Sequence, residues 1–85
     1  GNDRTPPGIP TVKTVTYKST TVSGKAEAGS TVYVYNGSKY LGKGTANSKG
    51  NYVVHISKQK KGSTLKIYAK DKAGNKSGYR YVKVK

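Results

Sequence analysis

Thr21-Val22-Ser23-Gly24-Lys25-Ala26-Glu27-Ala28-Gly29-Ser30-Thr31-Val32-Tyr33-Val34-Tyr35-Asn36-Gly37 is the stretch that decides the fold. In an extended chain successive side chains alternate between faces, so Val32 and Val34 share one face and Tyr33 and Tyr35 the other. The small residues of positions 26–30 read as a corner between two strands. Asn36-Gly37 supplies residues that tolerate the positive φ of a tight hairpin. An apolar face backed by a tyrosine face, bounded by turns, predicts a half-buried strand in an all-β module.

The same period extends outward along the chain. Pro6, Pro7 and Pro10 hold the start extended and out of a helix. Strands are expected at 12–17, 21–26, 31–35, 39–46, 51–56, 63–70 and 79–85. Turns at Asn36-Gly37-Ser38, Asn47-Ser48-Lys49-Gly50 and residues 71–77 separate them. Gly42 and Gly44 inside the fourth strand suggest a bulge or a close backbone approach. No window carries a 3.6-residue period, so no helix is expected. Seven short strands fit a seven-stranded antiparallel sandwich of the Ig-like kind. Its expected core is Val22, Val32, Val34, Leu41, Tyr52, Val54, Ile56, Leu65, Ile67, Ala69, Val82 and Val84, with Val12 and Val15 as further inward positions. Residues 1–10 read as an N-terminal linker and residues 11–85 as one domain.

Composition narrows the function. Eighty-five residues carry 17 Lys and Arg against 3 acids, a net charge of +14. Leu, Ile, Val and Phe number only 14 of 85, which by itself is the composition of a disordered chain. The strict alternation and the eight Tyr argue for a fold instead. There is no Cys, hence neither a disulfide nor a thiolate site. No apolar run approaches the roughly 20 residues that span a bilayer. The basic field suits polyanions such as teichoic acid, sulfated glycans or nucleic acid. The cations are spread from Arg4 to Lys85, however, and a solvated basic surface accounts for most of them.

Catalysis finds few residues. His55 is the only His and alternates onto the outer face beside Val53. Paired carboxylates would need two of three acids. No phosphate-binding Gly motif precedes a helix, and no His/Cys set could hold zinc.

Four phrases occur in order: Asp3-Arg4-Thr5-Pro6-Pro7, then Val22-Ser23-Gly24-Lys25-Ala26-Glu27-Ala28-Gly29-Ser30-Thr31-Val32, then Ala46-Asn47-Ser48-Lys49-Gly50-Asn51-Tyr52, then Ala69-Lys70-Asp71-Lys72-Ala73-Gly74-Asn75-Lys76-Ser77. Together they resemble the bacterial immunoglobulin-like repeats of cell-surface and secreted proteins. The resemblance implies a non-catalytic spacer repeated in tandem outside the cell and supporting adhesion, with neighbouring domains of the same chain as partners. Two other readings stay open: a basic module binding an anionic cell-wall polymer or a host glycan, and an accessory domain of a wall-active enzyme. No specific nucleic acid is implied, because no nucleic-acid module signature is present.

Two sets of site residues follow. Reversing direction at each turn brings Asp3, Glu27 and Asp71 to one pole with Asn47, Asn51 and Asn75. Calcium takes six to eight oxygens from such groups, and the resemblance adds that related modules with more acids can bind it near domain junctions. Asp3, Asp71 and Asn75 are thus the calcium candidates, opposed by the lysines around them; no other cofactor is expected. The ligand candidates are the outward Tyr33, Tyr35 and Tyr68, and Lys58, Lys60 and Lys61 of the most cationic loop.

Overall fold

Residues 6–85 are described by a computed structural model. Six strands are present: β1 (Thr21–Lys25), β2 (Thr31–Asn36), β3 (Lys39–Thr45), β4 (Asn51–His55), β5 (Thr64–Lys70) and β6 (Arg80–Lys83). β1 pairs with β4, and a second sheet runs β3-β2-β5-β6. Every pairing among these six strands is antiparallel. The core lies between the sheets. Val22, Tyr52 and Val54 come from one sheet and Val32, Val34, Leu65, Ile67 and Ala69 from the other. Val15, Ala46, Ile56 and Val84 complete it.

The expected first strand, at 12–17, is divided between the two sheets. Thr11 and Lys13 donate their N–H groups to Lys25 O and Ser23 O at 2.8 and 2.9 Å. The return bonds of a ladder are missing for a local reason. The Thr11 carbonyl accepts the Tyr52 hydroxyl at 2.7 Å, and the Lys25 N–H goes to Thr11 Oγ1 at 2.9 Å. The chain then crosses over. Lys85 N–H donates to Val15 O and Tyr17 N–H to Lys85 O, which is a parallel pattern at the other sheet. Neither half completes a strand, so the described residues form six strands.

Leu41 is the second departure. Val34 pairs with Gly42 but Tyr35 pairs with Tyr40, so Leu41 is the extra residue of a bulge. It is half-buried rather than central, and Gly42 and Gly44 take the inward positions instead. A Cβ on Gly44 would stand 2.4 Å from the Val53 carbonyl oxygen of the facing sheet. The expected bulge and the expected close approach are therefore both present. Val82 is also only half-buried, since β6 is an edge strand. Asn36-Gly37 turns differently from expectation. Asn36 ends β2 opposite Lys39, and only Gly37 has positive φ, at 62°. Positive φ at the first of two loop residues is the other favoured hairpin geometry. The Asn36 amide is left to donate to Gln59 Oε1 and Ser63 Oγ.

At the end of β5 a side chain extends the sheet. Buried Ser77 donates its N–H to Ala69 O at 2.7 Å, and its Oγ accepts the Ala69 N–H at 2.8 Å. The hydroxyl proton goes to Gly78 O. Ser77→Ala would orphan the Ala69 N–H. A loss of about 1–3 kcal/mol is expected in urea unfolding, and an unchanged midpoint would show that water replaces the hydroxyl.

Candidate functional site

The poles assemble as the direction reversals predict, although consecutive strands are often not neighbours. Each connection still turns the chain around, whichever strand it pairs with. At one pole Ala26 N–H donates to Gly50 O and Gly29 N–H to Ala46 O. A cleft there is lined by Glu27, Ala28, Gly29, Ser30, Asp71, Lys72 and Ala73. Asp3 lies outside the described residues. Asp71 is committed to its own turn: Oδ1 accepts the Asn75 N–H at 2.8 Å and Oδ2 the Asn75 side-chain amide at 3.0 Å. Asn75, and then the backbone N–H groups of the turn, hold the Asp71 carboxyl below its usual 3.8. Asn47 Oδ1 likewise accepts the N–H groups of Lys49 and Asn51. Among the described residues no three His, Cys, Asp or Glu converge.

The opposite pole holds the cationic loop. Gly62 N–H donates to Val84 O there, and Ser63 N–H to Lys60 O. Lys58, Lys60 and Lys61 are exposed on this loop, apart from the sheet surface that carries the other ligand candidates. His55 is exposed at the end of β4, opposite Thr21.

Tyr33, Tyr35 and Tyr68 do come together, on the outer face of the four-stranded sheet. Register builds this surface in two rows. Lys43, Tyr33 and Tyr68 stand side by side across β3, β2 and β5. Tyr79, just before β6, meets the Tyr68 ring edge-on at 5.6 Å and continues that row. The adjacent row is Tyr40, Tyr35, Lys66 and Tyr81. Six of the eight tyrosines thus share one face.

The rings are packed against one another. Tyr68 stacks on Tyr33 at 5.1 Å with an interplanar angle of 18°, and on Tyr35 at 6.2 Å and 15°. Tyr40 meets Tyr35 edge-on at 5.4 Å. Ammonium groups cover more ring surface: Lys66 Nζ lies 4.9 Å from the Tyr79 centroid and 5.6 Å from that of Tyr35, and Lys76 Nζ 5.5 Å from that of Tyr68. Such contacts are worth about 0.5–1 kcal/mol each where exposed.

Burial, and then a hydrogen bond with Tyr35, push the Tyr68 hydroxyl up to about 12. Tyr52 also rises to about 12, through burial in the core, against a smaller opposing pull from Arg80. A raised Tyr is neutral in the fold and ionises more easily once unfolded. Its contribution is complete below pH 10.0 and declines as pH rises through about 12. Phenolate ultraviolet absorbance should therefore contain late components near pH 12, one lost in Tyr52→Phe and one in Tyr68→Phe. Complete ionisation of the folded chain well below pH 12 would contradict this.

Alternation alone identifies Tyr33, Tyr35 and Tyr68. With Leu41, Val82 and Val84 inward it also turns Tyr40, Tyr79 and Tyr81 outward, but it does not place them beside the other three, which the β2–β3 and β5–β6 pairings decide.

A family model for the bacterial Ig domain matches residues 6–85. A cell wall-associated protease of Bacillus subtilis (strain 168) is 40% identical over 67 residues, which make up 78% of this chain and 8% of that relative. The chain therefore spans a small fraction of the curated relative it matches. Among solved structures, a biofilm associated protein BSP domain has a TM-score of 0.78 at 25% identity, over 92% of this chain and 14% of that one. A protease structure has a TM-score of 0.73 at 19% identity, over 95% of this chain and 19% of that one, and shows the shared fold alone. An antiparallel all-β sandwich and a family match across nearly its whole length agree: this chain belongs to the bacterial Ig domain family.

Proposed function

We propose that this domain is a non-catalytic spacer in a larger cell-surface or secreted bacterial protein, set in tandem with similar domains and supporting adhesion by holding other parts away from the wall. One observation carries the reading. Thr11 lies beside Lys25 at the pole of Glu27 and Asp71, whereas Val84 lies with Gly62 at the opposite pole. The chain therefore runs in at one end and out at the other of a body 41 × 24 × 15 Å. Consecutive copies joined this way string out lengthwise. The wall-associated and biofilm-associated proteins that contain similar domains support an extracellular setting.

The described residues also favour a scaffold over an enzyme. The core side chains are mostly apolar, and the hydroxyls of buried Ser30, Ser77 and Tyr52 all bond backbone carbonyls. A fluorophosphonate probe tests for an activated serine, and sedimentation tests for self-assembly. The expected result is an unlabelled, folded monomer. A labelled serine would overturn the non-catalytic reading, and a stable oligomer would overturn the head-to-tail spacer.

A further inference from the structure

The two-row tyrosine face is more than a spacer needs. A strand surface that only meets water is usually polar, yet this one collects Tyr33, Tyr35, Tyr40, Tyr68, Tyr79 and Tyr81. Among the described residues its charge has one sign. Lys43 and Lys66 stand within the rows, Lys70 and Lys83 continue the same face on β5 and β6, and Lys76 lies over Tyr68. Among the described residues no carboxylate joins them: Glu27 is in the polar corner and Asp71 is bonded to Asn75.

We propose that this face binds a linear polyol-phosphate, the tyrosine hydroxyls meeting the polyol and the lysine ammonium groups meeting its phosphodiesters. Charge complementarity selects a polyanion. Ring geometry selects among polyanions. A nucleobase needs an open ring face on which to stack. Here the faces of Tyr33, Tyr35 and Tyr68 are turned toward one another, Lys66 lies over Tyr35 and Tyr79, and Lys76 lies over Tyr68. Apart from the more exposed Tyr40 and Tyr81 at its margins, the surface offers ring edges, hydroxyl groups and ammonium groups. Polyol hydroxyls and phosphate oxygens accept hydrogen bonds from both kinds of donor. Spacing favours a polymer over a single phosphate. Lys66 and Lys70 are two pleats apart, roughly 13 Å along β5, so one phosphate reaches one of them and a chain reaches both. Each further contact is then intramolecular, and avidity multiplies.

The proposal goes beyond the spacer role, which stands whichever way its test falls. The 85-residue chain is titrated at low salt with poly(glycerol phosphate) and, separately, with glycerol phosphate. Its emission reports on this face, because there is no Trp and six of eight Tyr are here. The polymer is expected to bind at least ~100-fold more tightly than the monomer. Two triple variants remove equal charge. Lys43→Gln with Lys70→Gln and Lys83→Gln should weaken polymer binding about 10-fold or more. Lys58→Gln with Lys60→Gln and Lys61→Gln, in the polar loop, should weaken it less than about 3-fold. Tyr40→Ala with Tyr81→Ala removes two exposed rings and should also weaken binding about 5-fold with little change in melting. Equal losses from the two triples would mean binding by diffuse charge and would overturn the site. Tighter binding of a single-stranded oligonucleotide with the same number of phosphates would replace it with a nucleic-acid surface.

Discussion

Ile67→Ala is expected to remove about 3–4 kcal/mol of unfolding free energy, most of what a domain this small possesses. Ile67 is fully buried on β5, a strand paired on both sides. It lies opposite Val34 of β2, itself fully buried, and beneath the β1–β4 sheet. Truncation leaves a cavity whose walls are β-branched residues on hydrogen-bonded strands. Such walls relax little, so the cavity term adds to the lost transfer energy. Leu41→Ala is the informative control. The side chain is of similar size, but the bulge leaves it half-buried, and about 1 kcal/mol is expected. Urea unfolding of both variants measures the difference. Equal losses would place Leu41 in the core and contradict the bulge.

Gly24→Ala is expected to cost about 3 kcal/mol without removing a single contact. A Cβ at Gly24 would lie 2.0 Å from the Thr11 carbonyl oxygen, 2.7 Å from its carbon and 3.2 Å from the Tyr52 hydroxyl. The obstacle is backbone, so no rotamer change relieves it. Residues 11–13 must lift from β1, and three bonds are strained together: Thr11 N–H to Lys25 O, Lys13 N–H to Ser23 O, and the Tyr52 hydroxyl to Thr11 O. Amide exchange should localise the damage, with the Thr11 and Lys13 amides losing protection before those of β5. A variant as stable as the parent, with both amides still protected, would show that this segment does not lie against β1.

Much of this architecture is legible in single strands. Period two identifies the Val32/Val34 face, the Leu65/Ile67/Ala69 face and the inward Tyr52, because burial acts on each side chain separately. Loop direction identifies the poles, because a reversal needs no knowledge of which strand is the partner. Information shared between strands is what a single strand lacks. Nothing within β1 says that it pairs with β4, and nothing within β2 says that β5 lies beside it. The same limit hides the extent of the tyrosine face. Tyr33 and Tyr35 read as outward residues of one strand, but the addition of Tyr40, Tyr79 and Tyr81 is a matter of register. Local competition for backbone groups explains the rest. Thr11 engages the Tyr52 hydroxyl and spends its own hydroxyl on Lys25, and so the first expected strand never closes a ladder.

The candidate sites divide on the same principle. Asp71 and Asn75 satisfy each other within five residues, which a turn motif makes visible in sequence. The lysines at 58, 60 and 61 stand out as a charge run yet occupy a polar loop, away from the rows where Lys43 stands opposite Tyr33 and Lys66 lies over Tyr35 and Tyr79. Proximity to tyrosine, more than local charge density, separates those two sets of cations.

The central claim, a body traversed end to end so that copies extend in a line, has a direct measurement. The chain has no Cys, so Ala28→Cys in each copy of a two-copy tandem gives one spin label per domain at equivalent exposed positions. Pulsed dipolar spectroscopy reads their separation. The account predicts a distribution centred at or beyond the 41 Å long dimension of one domain. A distribution centred at or below the 24 Å width would mean copies folded side by side and would contradict it.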